Sequence, residues 1–345
     1  MRKARTSRWD AGRRASVEGE GRGGSACANY IALPIKSFAV RSMTSVPTEH
    51  QARPGVGYAR DRLARRPAPF IWLEAGRRMA ERLSLLRAQP EWVLDVGCAW
   101  GDGLALLRRQ YAKAHLVGLE PSALLAAVAR KTHARRGWLQ GLRGQGSTEV
   151  VCAPLDFPRN IADMPAGAHM LWSNLALPWA SDIRAVFAAW HRALRPEGVM
   201  LFTTFGPDTL RELRLPALQA TGIRPPSYPD MHDLGDMLVH EGFAEPVMDM
   251  EMVHLRYPSP HAALAELAEL GRAPHDGAAH GLRTPRQWRA LQDMLLRNAR
   301  AVDGPPIELS FELVYGHAFK PVTQAAKAGV ATFPLEQLRA SGRRR

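Results

Sequence analysis

The ten residues from Val93 to Asp102, VLDVGCAWGD, constrain the fold of this chain more than any other part of it. An apolar run that contains Asp95 leads into a loop with glycines at 97, 101 and 103, and a helical pattern of leucines follows. A strand, a tight turn and a helix in this order are typical of the first βα unit of a sheet that binds a nucleotide. We therefore expect a ligand site at the carboxyl end of this strand.

A second short strand, 115–119, is followed directly by Glu120. An acid at the tip of the second strand can accept hydrogen bonds from both hydroxyls of a ribose bound over the glycine loop. The loop lacks the third glycine of G-x-G-x-x-G, and Asp95 lies inside the first strand, so the pattern favours S-adenosylmethionine (SAM) over a dinucleotide. The alternative is an ordinary strand–helix turn with a surface glutamate.

Strands alternate with helices through residue 205, which predicts a parallel sheet covered by helices on both faces. We predict strands at 93–97, 115–119, 149–153, 169–173, 199–205, 247–254 and 307–314. We predict helices at 69–87, 102–111, 122–131, 182–194, 208–213, 231–241, 261–270 and 285–300. The predicted domain spans 56–320, with a SAM-binding half at 90–205 and an acceptor-side half at 206–320. A disordered basic extension at 1–55, with Met43 as the natural start, and a basic tail at 321–345 flank it.

The formal net charge of +13 lies in the two ends of the chain. Residues 1–66 hold 14 basic and 5 acidic residues, whereas residues 67–319 hold 26 basic and 27 acidic ones. A nucleic-acid-binding face needs clustered Lys and Arg on the folded surface, so we expect no nucleic-acid partner. Three cysteines without C-x-x-C spacing predict no metal site and a reducing, cytoplasmic setting. No stretch is apolar enough to span a membrane.

The segment 173–179, SNLALPW, resembles the S-N-L-A-L-x-W segment of the BioC-type malonyl-[acyl-carrier protein] O-methyltransferases of biotin synthesis. Further segments similar to this family, in order along 70–320, are 203–213 (TTFGPDTLREL), 231–236, 241–249 and 314–320 (VYGHAFK). The resemblance implies a class I SAM-dependent methyltransferase fold. This is a Rossmann-like α/β sheet of seven strands with helices on both faces and the last strand antiparallel.

The resemblance also implies the reaction and its participants. SAM would donate its methyl group to the free carboxylate of malonyl-[acyl-carrier protein] or malonyl-CoA, and we expect a monomer. The chain departs from the family at Ala99, where a glycine is usual, at Trp100, where a threonine is usual, and at 65–67, which replace a Tyr-Asp pair. We expect Ala99 to be tolerated if its φ stays negative.

The candidate site residues follow from the motifs and from the resemblance. For the cofactor they are Asp95, Gly97, Ala99, Gly101, Glu120, Asp156 and Ser173. Trp172 and Asn174, at the tip of the fourth strand, are expected to face the methyl-transfer site. His232, Arg256 and Tyr257 are candidates for binding the acceptor, with His232 and Asp233 as the alternative N-cap of a helix.

Two further functions stay open at this point. One is a SAM-dependent methyltransferase of the same fold with another acceptor, because the fold and the SAM motifs do not select the acceptor. The other is a non-catalytic accessory or assembly factor with the methyltransferase fold, which the departure at Ala99 favours.

Overall fold

A single seven-stranded sheet organises the computed structural model, which describes residues 60–86, 88–133, 146–157, 167–214, 227–270, 284–300 and 306–322. The described residues fall within one compact unit, Glu49–Arg345. The predicted extension at 1–55 and nearly all of the predicted tail at 321–345 lie outside the described residues.

The sheet has the strand order β3-β2-β1-β4-β5-β7-β6. The strands are β1 (Trp92–Val96), β2 (His115–Glu120), β3 (Thr148–Cys152), β4 (Ala168–Asn174), β5 (Leu194–Phe205), β6 (Ala244–Tyr257) and β7 (Ile307–Phe319). The pairs formed by β1 to β5 are all parallel, and β7 runs antiparallel to both β5 and β6. The predicted fold class is therefore confirmed, including the antiparallel last strand.

Helices cover both faces of this sheet. They are α1 (Phe70–Arg82), α2 (Asp102–Gln110), α3 (Ala123–His133), α4 (Ile183–Ala193), α5 (Met231–His240), α6 (Pro260–Glu269) and α7 (Pro285–Arg300). On one face of β5, Phe202 packs on Phe187 of α4. On the other face, the hydroxyl of Thr203 donates to Asn174, and the Asn174 amide donates to the carbonyl of Trp72 in α1. Since successive strand side chains point to opposite faces, α1 and α4 lie on opposite sides of the sheet.

Local sequence explains where several of these elements begin. Ser122 caps α3, because its hydroxyl accepts the backbone N–H of Leu125 at 3.0 Å. The N-cap of α5 is Asp230, which accepts the N–H of His232 at 2.8 Å, so the expected His232–Asp233 cap was wrong. None of the helices in the described ranges is long and apolar enough to cross a bilayer.

The strands β5, β6 and β7 are longer than their apolar runs predicted. β5 begins at Leu194, and its pairing with β4 shifts register beyond Ala168. The strand therefore includes the Arg-Pro-Glu-Gly segment at 195–198, which lay between the predicted helix and the predicted strand. β7 extends to Phe319 because residues 315–319 pair with β5, although the sequence there has no strand-like alternation. The predicted helix at 208–213 is reduced to a turn and a single helical turn at 211–214.

The family-like block at 203–213 ties the end of β5 to β7. The buried carboxylate of Glu312 accepts the N–H of Asp208 at 2.6 Å, and the backbone N–H of Gly206 donates to the Glu312 carbonyl at 2.9 Å. A Cβ at Gly206 would lie 2.4 Å from the Glu312 carboxyl carbon, so glycine is needed there. This block therefore stabilises the junction between the two halves of the sheet.

Candidate active site

The glycine loop after β1 makes a tight left-handed turn. Gly97, Ala99 and Gly101 have φ values of +75°, +48° and +88°. The condition for tolerating Ala99 without strain, a negative φ, is not met, because the turn requires the left-handed region at each of these alternate positions. An L-residue there costs about 1–2 kcal/mol, and Ala99 is held in place by its N–H, which donates to Glu120 Oε2 at 2.9 Å.

Asp95 ends β1 inside the protein, with 1% of its surface exposed. Burial raises the pKa of this carboxyl well above its usual range, and the nearby charges of Glu120 and Asp102 act in the same direction. Its Oδ2 has no hydrogen-bond partner among the described residues. A buried carboxylate oxygen without a donor is a favourable place for a positively charged ligand group.

Gly103, in the first turn of α2, lets the helix backbone approach two polar side-chain atoms. A Cβ at Gly103 would lie 2.5 Å from Asp95 Oδ2 and 2.9 Å from Trp172 Nε1. The indole N–H of Trp172 is also buried and has no partner in the described part of the chain. Asp95 Oδ2 can accept from an ammonium group and the Trp172 N–H can donate to a carboxylate, so the two atoms fit the amino-acid end of a cofactor such as SAM.

Glu120 ends β2 and is completely buried, but it is already paired. Arg60 donates to both of its carboxylate oxygens, from Nε to Oε1 at 2.8 Å and from Nη2 to Oε2 at 2.6 Å. The backbone N–H of Ser122 also donates to Oε1, at 3.0 Å. Glu120, the predicted ribose acceptor, thus lies at the end of β2 as expected, but the Arg60 guanidinium already binds both of its carboxylate oxygens.

Arg60 belongs to a segment, residues 60–66, that we call the N-terminal strap. The Arg60 side chain is fully buried, and its guanidinium carbon lies 5.1 Å from the ring centre of Trp179 and 5.9 Å from that of Trp72. The Nη1 atom has no hydrogen-bond partner among the described residues. The strap was predicted only as part of the folded domain, because nothing in the local sequence points from Arg60 to Glu120, sixty residues away.

Two further bonds attach the strap to the rim of the site. Ser122 Oγ donates to Asp61 Oδ1 at 2.5 Å, and the indole N–H of Trp100 donates to the carbonyl of Arg66 at 2.9 Å. The Trp100 ring packs edge-on against Trp72, with 5.6 Å between the ring centres. Trp100 therefore fastens the strap to the glycine loop.

A small cavity marks the predicted site at the end of β1. Its volume is about 10 Å³. Three predicted site residues, Asp95, Gly97 and Asn174, meet in its wall. The remaining lining residues are Trp72, Cys98, Asp102 and Gly103. Sequence reasoning missed Trp72, although its place on the apolar stripe of α1 was visible.

The three candidates on β4 have mainly structural contacts. Trp172 is fully buried. Ser173 Oγ donates to the carbonyl of Val96 at 2.8 Å, which ties β4 to β1 and uses the hydroxyl that was predicted to hold the cofactor. The Asn174 amide donates to the carbonyl of Trp72 at 2.9 Å and accepts from Thr203 Oγ1 at 2.6 Å. Asn174 thus positions α1 over the cavity while it borders the cavity itself.

The structure does not bring the other candidates to this cavity. Asp156 is exposed in the turn after β3, and His232 is exposed in the first turn of α5. Arg256 is also exposed and pairs with Glu308, Nε to Oε2 at 3.0 Å. Tyr257 is only 6% exposed, and burial together with the nearby charge of Glu266 raises the pKa of its hydroxyl above the usual range.

The part of the chain that contains the glycine loop matches a known protein family. Residues 93–198 match the family described as Methyltransferase domain. A solved structure, the YcgJ protein from Bacillus subtilis, aligns with 72% of this chain and 99% of its own length, at 12% identity and a TM-score of 0.49.

Similar curated proteins share one name. Malonyl-[acyl-carrier protein] O-methyltransferase from Gallionella capsiferriformans is 37% identical over 262 residues, which are 74% of this chain and 85% of that protein. The protein of the same name from Methylovorus sp. is 34% identical over 75% of this chain and 85% of its own length. Identity at this level over most of both chains shows that this protein belongs to the malonyl-[acyl-carrier protein] O-methyltransferase family.

Proposed function

We propose that this protein transfers the methyl group of SAM to the free carboxylate of malonyl-[acyl-carrier protein], or of malonyl-CoA, and so forms a methyl ester in biotin synthesis. The observation that carries the proposal is the 37% identity to a protein of that name over 85% of its length. The acyl-carrier protein is the proposed partner. We expect a monomer that works in the cytoplasm.

The methyl transfer requires little of the protein beyond binding SAM and the acceptor. When bound, SAM supplies a methyl group on a positively charged sulfur, which makes that methyl electrophilic. A malonyl carboxylate is ionised at neutral pH, so it is a nucleophile without a general base. The protein's tasks are to align the carboxylate with the methyl group and to exclude water. The described residues that line the cavity include no histidine, and burial raises the pKa of their one cysteine thiol, Cys98, so this lining agrees with a reaction that needs no general base.

Asp95 and Glu120 are the proposed cofactor ligands. Asp95 Oδ2, which has no partner in the described part of the chain, would accept from the cofactor ammonium group. Glu120 would accept from the ribose hydroxyls, with the loop residues Gly97, Ala99 and Gly101 beneath. Asp156, at the end of the turn after β3, is the proposed partner of the adenine amine. Each charge-assisted hydrogen bond contributes about 1.5–3 kcal/mol to binding.

The acceptor would enter beside β4. Asn174 borders the cavity, and Trp172 presents its indole N–H behind it. We propose that these two residues shape the place where the carboxylate meets the methyl group. His232, Arg256 and Tyr257 stay candidates for contacts with the carrier arm, on the acceptor-side half of the sheet.

A direct assay tests the proposed function. Purified protein is incubated with SAM and malonyl-[acyl-carrier protein], and the methyl ester is followed by mass spectrometry. In parallel, the chain is expressed in a biotin-requiring bacterium that lacks this methyltransferase. We expect ester formation and growth without biotin, and the matched variant Glu120→Gln should need at least about tenfold more SAM to reach the same rate. Tight SAM binding without ester or growth would instead indicate a methyltransferase with another acceptor.

A second candidate function is favoured by one observation. Arg60 fills the hydrogen-bonding positions of Glu120, and the separate cavity beside Asp95 measures about 10 Å³, so a nucleoside fits neither place in this conformation of the side chains. A non-catalytic accessory factor that kept the fold and lost the cofactor would have this arrangement. Calorimetric titration with SAM separates the two candidates, since the accessory factor would release no binding heat.

A further inference from the structure

The hydrogen-bonding capacity of Glu120 is filled. An ionised carboxylate offers about four acceptor positions, two on each oxygen. Oε1 accepts from Arg60 Nε and from the Ser122 N–H, and Oε2 accepts from Arg60 Nη2 and from the Ala99 N–H. Two of these donors are backbone groups of the site itself, and the other two come from a single guanidinium. A ribose diol can therefore reach Glu120 only if Arg60 leaves.

The position of Arg60 makes it a competitor for space as well as for hydrogen bonds. Its guanidinium lies near the Trp72 and Trp179 rings, and Trp72 also lines the cavity that Asp95 borders. A cavity of about 10 Å³ has space for roughly one water molecule. A nucleoside needs far more room, so the side chains that close this space have to move together before it binds.

The strap can supply that movement as a unit. It contacts the site through Arg60 on Glu120, through Asp61 on Ser122 and through the Arg66 carbonyl on Trp100. These three bonds lie on the ends of β2, α3 and the glycine loop, which are the elements that surround the predicted cofactor site. Leu63, between them, is 2% exposed and anchors the strap in the core.

We propose that the N-terminal strap is a cofactor-displaced latch, in which Arg60 and the cofactor ribose compete for Glu120. The inference rests on the proposed function, because it takes SAM as the ligand. In the closed state the Arg60–Glu120 pair fills the ribose site. Cofactor binding exchanges the guanidinium for the ribose hydroxyls and releases the strap. The closed population then lowers the apparent affinity for SAM and limits the rate of its entry.

Stopped-flow binding of SAM and of adenosine tests the latch on the full chain. Adenosine carries the ribose but no ammonium or carboxylate, so it isolates the competition at Glu120. The test variant is Arg60→Lys, which keeps the charge but gives up the two-pronged contact. The second variant is Asp61→Ala, which removes one strap bond without touching Arg60 or Glu120. Arg184→Lys, whose guanidinium pairs with Glu241 on the outer surface, is the matched control.

For the wild-type protein we expect the observed binding rate to level off as ligand concentration rises, because strap opening becomes limiting. Arg60→Lys should raise that limiting rate and the adenosine affinity, each by about tenfold, as a bidentate charged contact is reduced to a single one. Asp61→Ala should raise the limiting rate by a smaller factor, and Arg184→Lys should leave both quantities unchanged. Melting temperatures without ligand confirm that each variant is folded.

Three results would overturn the latch. Unchanged rates and affinities in both strap variants, with normal binding by the wild type, would show that Arg60 does not compete. Weaker SAM binding by Arg60→Lys with unchanged adenosine binding would make Arg60 a ligand of the cofactor carboxylate. Absence of SAM binding in the wild type and in every variant would overturn the latch and the proposed function together, whereas ester formation with unaltered entry rates would overturn the latch alone.

Discussion

Charged residues are placed differently along two edges of the sheet, the edge formed by the carboxyl ends of the parallel strands and the edge formed by the outermost strand, β6. At the carboxyl ends of β1 and β2, Asp95, Glu120 and Arg60 are all buried. Along β6, at the far edge, Asp249 pairs with Arg82 of α1 at 2.7 Å, and both side chains are substantially exposed. Such exposed pairs contribute about 0–1 kcal/mol to stability. Glu120 and Arg60 pair with each other, but Asp95 Oδ2 has no partner among the described residues, and an unpaired buried charge is costly, so the retention of Asp95 points to ligand binding rather than to folding.

The largest effect should come from Glu120→Ala. The substitution leaves the Arg60 guanidinium buried without its counter-charge, and breaking such a pair costs about 3–5 kcal/mol. The matched variant on the other edge is Asp249→Ala, which should cost less than about 1 kcal/mol. Urea denaturation monitored by tryptophan fluorescence measures both free energies of unfolding. Equal losses would remove the distinction between the two edges.

The variant Asp95→Asn tests whether the charge of Asp95 contributes to ligand binding or to the stability of the fold. Because burial, with Glu120 and Asp102 nearby, raises the pKa of Asp95 in the folded protein, the unfolded chain loses its proton first as the pH rises. The free energy of unfolding of the wild type should therefore fall from the ordinary aspartate range up to the raised pKa. Below the ordinary range both states keep the proton, and this contribution disappears.

The asparagine variant should lack this decline and should be at least as stable as the wild type at neutral pH. Its SAM affinity should fall by about tenfold or more, the equivalent of one charge-assisted hydrogen bond. Denaturation across a pH series and calorimetry measure the two quantities. A variant that is less stable at neutral pH and binds SAM normally would make Asp95 a structural residue.

Ala99→Gly tests the strain in the loop. The Ala99 φ of +48° lies in the left-handed region, which glycine adopts without the Cβ penalty. We expect the variant to gain about 1 kcal/mol in unfolding free energy after the larger backbone entropy of glycine in the unfolded chain is subtracted. Differential scanning calorimetry measures the change, and Ala105→Gly, within α2, is the opposite control that should lose stability. A loss at both positions would refute strain at Ala99.

The smallest effect should come from Arg256→Ala on the acceptor-side half. Arg256 and Glu308 form an exposed pair across β6 and β7, so the stability change should stay within about 0.5 kcal/mol. If Arg256 contacts the carrier arm, the KM for malonyl-[acyl-carrier protein] should rise while the affinity for SAM is unchanged. An unchanged KM would remove Arg256 from the acceptor site.

The sequence predicted the strand bounds well where the burial of both faces of the sheet determines them. β1, β2 and β4 are continuous apolar runs because both faces of a parallel sheet are covered, and each was predicted within one or two residues. β6 and β7 were predicted too short. Their ends alternate less clearly, and β6 is an edge strand with a register shift after Ala244. Strand pairing across the sheet, which local pattern does not contain, extends them.

The sequence predicted the candidate site residues that lie in one local motif, but it missed the residue that reaches the site from a distant segment. Asp95, Gly97 and Glu120 follow from the spacing of one βα unit and the next strand, so their positions could be read from the motif. Arg60 could not, because its role depends on a contact across sixty residues in a segment with no periodic pattern. Ser173 shows the converse, since its place near the end of β4 agrees with the predicted strand but its hydroxyl ties β4 to β1.

The measurement that tests the account most directly is the calorimetric titration of SAM into the wild-type protein and into Glu120→Gln. If the buried acid at the end of β2 is the ribose acceptor, the wild type binds one SAM per chain. The glutamine variant, which keeps the size of the side chain but loses its charge, then binds at least about tenfold more weakly. An unchanged dissociation constant in Glu120→Gln would contradict the account.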